Sequence, residues 1–151
     1  MSAPALTVTR LAGALGAELS GLDLSRPLRQ DALAALRSAW LAHGAVFLRD
    51  QPLTPGQFLA FAQAIGTPVE YPFVSGIPGF PVIIEVKKLA HEKVNFGGVW
   101  HSDTAYLEQP PMATLLLDGL VALNTSAKAE VSRTREDRLA VINDVIRSSR
   151  P

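Results

Sequence analysis

The stretch GGVWHSDTAYLEQPPMATLL, residues 97–116, decides how this chain is read. His101 and Asp103 stand two apart, behind Trp100 and two glycines and ahead of Pro110 and Pro111. In an extended strand, residues i and i+2 project to the same face. Read as a strand over 99–107, the stretch presents one imidazole and one carboxylate side by side. Together they can grip one divalent ion. A third ligand from a distant strand would complete a facial triad that leaves coordination positions open. The pair also has a plainer reading, in which His101 hydrogen-bonds a loop and Asp103 caps a turn.

Composition narrows the choice. The chain has three histidines and no cysteine. Disulfides, thiolate metal sites and cysteine nucleophiles are therefore excluded. A metal site must use His, Asp, Glu or backbone oxygen, which favours hard or borderline ions such as Fe(II), Mn or Zn. The 151 residues, 48% apolar and 19% charged, suit one globular domain. Fourteen basic residues balance fourteen acidic ones. No basic excess points to a nucleic-acid partner, and little net repulsion opposes homo-oligomers. The opening MSAPALTVTR lacks a basic region leading into a long apolar one. No apolar run approaches the ~20 residues that span a bilayer. The expectation is a cytoplasmic protein without a membrane partner.

Working outward, LTVTRL (6–11) alternates and reads as a strand. GAELSGLDL (16–24) follows, with glycines at the turns. Ser25 and Pro27 signal a helix start, Leu28, Leu33, Leu36 and Trp40 supply its apolar stripe, and Gly44 stops it. AVFLRD (45–50) reads as a short buried strand. Thr54 as N-cap and Pro55 at the first position open a second helix with Phe58, Phe61 or Ala62, and Ile65 inward. The Pro- and Gly-rich EYPFVSGIPGFP (70–81) is loop, PVIIEVKK (81–88) a strand, and AHEKVNFGG (90–98) a polar loop. MATLLL (112–117) reads as another strand. The rest, 118–151, reads as a helix or two and a frayed tail from about Ser148.

GGVWHSDTAYLEQPPMATLL resembles the metal-binding signature of the taurine/2,4-dichlorophenoxyacetate dioxygenase family (TauD/TfdA). GAELSGLDLSRPL and HGAVFLRDQPLTPGQFLAFAQAIGTP resemble the way such chains begin. The resemblance runs from about residue 6 to 116. It implies an α+β chain: part of a double-stranded β-helix, or jelly roll, with flanking N-terminal helices. It implies Fe(II) with 2-oxoglutarate as co-substrate, and O₂-dependent hydroxylation of a small organic acid such as a sulfonate, sulfate ester or phenoxyacetate. His101 and Asp103 become two of three iron ligands, with Trp100 and Thr104 shaping the site. Asn95 and Tyr71 fall where relatives contact substrate; as residues they read equally as a loop asparagine and a packing tyrosine.

The sequence also departs from the family pattern. Relatives follow the second strand with a Gly-Gly-Asp-Thr segment that helps hold 2-oxoglutarate. Here TLLL runs directly into DGLVALNTSAKAEVSRTREDRL, as though a piece were missing at Leu116–Leu117. After Asp103 there is no histidine to be the distal ligand, and no arginine follows such a histidine to bind the 2-oxoglutarate carboxylate. His43 reads as a helix-end residue, and His91 as part of a solvated loop beside Lys87, Lys88 and Lys93. Residues 1–117 are thus expected to be the N-terminal part of a dioxygenase domain, and 118–151 a residual helix and loop with an atypical tail. The alternative to an enzyme is a non-catalytic, truncated remnant that associates with itself or with an intact relative.

Overall fold

The computed structural model describes residues 6–87, 106–118 and 138–145, which fall into two units dividing between Ile65 and Gly66. The first unit contains β1 (Thr7–Arg10), β2 (Ala17–Ser20), α1 (Gln30–His43), β3 (Val46–Leu48) and α2 (Pro55–Ile65). β2 lies in the middle of a three-stranded sheet, antiparallel to β1 and parallel to β3. A parallel pair needs a crossover, and α1 supplies it. Leu19 of β2 packs with Leu36 and Ala39 of α1, and Leu6, Leu22, Leu28, Val46, Leu48, Phe61 and Ile65 close around them.

The helix ends show local chemistry at work. α1 begins at Gln30, later than Ser25 and Pro27 suggested. The Asp23 carboxylate accepts from the Ser25 N–H (3.0 Å) and hydroxyl (2.5 Å), holding Ser25 in a turn. Arg29 then takes an extended conformation with ψ 155° before the helix starts. Leu28 still joins the core, but from outside the helix. Leu36 and Ala39 are buried, whereas Leu33 and Trp40 are only half-buried. Gly44 ends α1 as expected, with φ 69° and its N–H donating to the Trp40 carbonyl at 2.7 Å.

α2 starts where Thr54 and Pro55 predict. The Thr54 hydroxyl accepts from the Gln57 N–H (3.3 Å), and the Gln57 carboxamide oxygen accepts from the Thr54 N–H (2.9 Å). This reciprocal arrangement is a capping box. Phe58 and Ala62 are the buried face. The strand expected at 45–50 forms, but it is not buried: β3 is an edge strand and Phe47 is 49% exposed.

The second unit contains β4 (Thr67–Pro68), β5 (Ile83–Lys87), β6 (Ala113–Asp118) and β7 (Arg138–Val145). Residues 70–81 are mostly loop, as their prolines and glycines require. The loop closes on β5 through Ile77 N–H to Ile83 O (2.8 Å) and Ile83 N–H to Phe80 O (3.0 Å). β4, β5 and β6 all pair antiparallel with β7. The helical reading of 118–151 is therefore corrected over Arg138–Val145, which is a strand. RLAVINDV is rich in β-branched residues, and the flanking strands satisfy its backbone on both sides. Of the strand read at 99–107, residues 99–105 lie outside the described residues, and Tyr106–Gln109 bend instead of extending. Pro110 and Pro111, which lack backbone N–H groups, follow that bend. A complete jelly roll is not seen among the described residues.

Candidate functional site

The strands around the histidine–aspartate stretch define where it begins and ends. Lys87, at the end of β5, is level with Arg138 of β7, and Ala113, at the start of β6, is level with Asp144. β5 and β6 flank β7 and run parallel to each other. The chain therefore leaves the sheet at one end of β7 and re-enters it at the other. His101 and Asp103 fall between these points in the sequence. They lie outside the described residues, as do Asn95, Trp100, Thr104 and His91.

Tyr71 is described. It sits half-buried in the Pro- and Gly-rich loop, edge-to-face with Phe73, with ring centroids 5.3 Å apart and planes at 76°. Phe73 is 61% exposed, so the pair offers an aromatic surface from this loop. Such a surface can pack on an apolar substrate body or on neighbouring chain. His43 closes α1, and its backbone carbonyl accepts from Gly16 (2.9 Å) and Ala45 (2.8 Å). It is a helix-end residue, as the sequence suggested. No cluster of three or more His, Asp or Glu able to hold a metal occurs among the described residues. Glu85 is exposed on β5.

Among the described residues, two carboxylates have lowered pKa values, and both belong to the first unit's turns. The Ser25 hydroxyl, then the Ser25 N–H, holds Asp23 below the usual carboxylate range, with a smaller contribution from Arg26. The Arg29 guanidinium does the same for Asp31, helped by the Ala32 N–H. Neither group has the raised pKa of a general acid. Sequence reasoning missed one organising residue, Gln51. Its side chain accepts from the Leu24 N–H (2.9 Å) and donates to the carbonyls of Leu22 (3.1 Å) and Arg49 (3.0 Å). The available signal was Asp50 between Arg49 and Gln51, a residue type that tolerates the left-handed turn found there (φ 55°).

The family model for taurine catabolism dioxygenase TauD, TfdA family, matches residues 7–117. The chain belongs to that family. The TauD/TfdA match takes in Tyr71, Asn95, His101 and Asp103. An alpha-ketoglutarate-dependent sulfate ester dioxygenase of Pseudomonas putida is 30% identical over 112 residues, covering 74% of this chain and 36% of that protein. An alkylsulfatase of Acinetobacter baylyi is 29% identical over 130 residues, covering 85% of this chain and 40% of that protein. Among solved structures, a taurine dioxygenase from Burkholderia xenovorans superposes with TM-score 0.64 at 32% identity, covering 76% of this chain and 41% of that one. The chain thus spans well under half the length of these TauD/TfdA relatives. No helix among the described residues is long and apolar enough to cross a membrane.

Proposed function

We propose that these residues are the iron-binding N-terminal part of an Fe(II)- and 2-oxoglutarate-dependent dioxygenase that hydroxylates a small organic acid. The family match across the WHSD stretch carries this reading. The named relatives, a sulfate ester dioxygenase, an alkylsulfatase and a taurine dioxygenase, favour a sulfate ester or sulfonate over a phenoxyacetate. The donor set suits the ion: a neutral imidazole and a carboxylate, with no thiolate in the chain, are ligands for a non-haem Fe(II) centre. His101 and Asp103 would hold Fe(II), which when bound supplies the activation of O₂. In the reaction, one oxygen atom leaves in succinate as 2-oxoglutarate loses CO₂, and the other enters the substrate as a hydroxyl. Tyr71, with Phe73 beside it, would contribute an aromatic wall, and Asn95 a polar contact to substrate. The sheet of the second unit would be part of a double-stranded β-helix, with residues 118–151 a residual family segment and an atypical tail. We place the protein in the cytoplasm.

The second reading is a non-catalytic remnant that associates with itself or an intact relative. An anaerobic Fe(II) titration with 2-oxoglutarate separates the two. A saturable metal-to-ligand charge-transfer band, lost in His101→Ala, supports the iron site. No band, together with a light-scattering mass above one chain, supports the remnant. A band of unchanged strength in His101→Ala overturns the ligand assignment.

A further inference from the structure

The second unit's sheet is organised around one strand. Among the described residues, β4, β5 and β6 each pair with β7 and with no other strand. Removing β7 leaves three unconnected segments with open backbone edges. Ile83 and Ile84 are neighbours on β5, so their side chains face opposite sides, and both are buried, at 0% and 4% exposure. Both stand opposite β7, at Ile142 and Val141. Loss of β7 would therefore unpair this stretch of β5 where it is most buried.

Two features make this docking weak. β4 has only two residues, and one is Pro68, which cannot donate to the ladder. β6 and β7 pair as a hairpin would, with Asp118 opposite Leu139, yet residues 119–137 separate the two strands. Two residues can close an antiparallel pair. A closing segment roughly ten times longer lowers the effective concentration of the strand about thirtyfold.

We propose that Arg138–Val145 is a releasable strap: its docking assembles the second unit's sheet, and its release opens that sheet while the first unit stays folded. The first unit has its own core and its own helix caps.

The chain has no cysteine, so engineered thiols report cleanly. Two full-length double variants place thiols in adjacent registers, Leu117→Cys with Ala140→Cys and Leu116→Cys with Val141→Cys. One of two adjacent registers is the closer, non-hydrogen-bonded pair that suits a disulfide. Hydrogen exchange is read separately at the amides of Ile83–Lys87 and of Leu36–Trp40. The expected result is an intrachain disulfide in at least one variant. Oxidation then slows β5 exchange at least about tenfold relative to the reduced form and leaves α1 unchanged. Val141→Pro speeds β5 exchange about a hundredfold with α1 still protected. Failure of both disulfides, β5 exchange indifferent to locking or to Val141→Pro, or α1 losing protection in step with β5 would each overturn the proposal.

Discussion

Gln51 is the sharpest test of how the first unit holds its loops. One side chain ties Leu22, Leu24 and Arg49 together, bridging the segment after β2 to the turn after β3. Gln51→Met keeps the length and removes all three hydrogen bonds. Two are partly buried and one is exposed. A net intramolecular hydrogen bond contributes about 0.5–1.5 kcal/mol, and a buried N–H left unpaired costs about 1–3 kcal/mol. Leu24 is 7% exposed, so its N–H is the group at risk. Discounting the exposed bond gives a loss of about 2–3 kcal/mol. At roughly 4–8 °C per kcal/mol for a unit this small, the melting temperature falls by about 10–20 °C. Gln51→Glu should cost nearly as much at neutral pH. It can still accept from Leu24 but sets a carboxylate against two carbonyl oxygens. Denaturant unfolding followed by far-ultraviolet circular dichroism gives the free energy, and exchange at the Leu24 amide gives the local effect. A Gln51→Met chain within about 0.5 kcal/mol of the parent, with Leu24 still protected, would refute the clamp.

Three further predictions concern other parts of the chain. Thr54→Ala opens the capping box and should cost about 1 kcal/mol in denaturant titration, with α2 fraying at its first turn. Gly76→Ala would drive a methyl group into the Pro81 carbonyl, which is backbone and cannot swing aside; thermal melts should show clear destabilisation, and circular dichroism should show whether the 70–81 loop has rearranged. Asp23 and Asp31 are held low when folded, so they add stability above the ordinary aspartate range and lose it as pH falls through their depressed values. Carbon-13 titration should find both below unfolded-chain aspartate, and Ser25→Ala should raise Asp23 and leave Asp31 unmoved.

How much was legible without coordinates varied with the range of the cause. Thr54–Pro55 and Gly44 marked their helix ends because capping is set within a few residues. The start of α1 was misread for a neighbouring reason: Asp23 captures Ser25, and that competition depends on the turn the chain actually makes. His101 and Asp103 stood out because a metal site needs particular donors, and these two stand together in one short stretch of the family match over residues 7–117.

The sequence alone thus determined the family, the end of the first helix and the start of the second, a strand at 112–117 that the structure sets one residue later, and the pair of candidate ligands. Only the tertiary structure decided that Phe47 lies on an edge strand, that Gln51 clamps two loops, and that RLAVINDV is a strand and not a helix. The physical reason is distance along the chain. A cap or a ligand pair is written in adjacent residues. Strand pairing is decided by whichever backbone lies alongside, and for Val141 the partners are Ile84 and Leu116, far away in sequence.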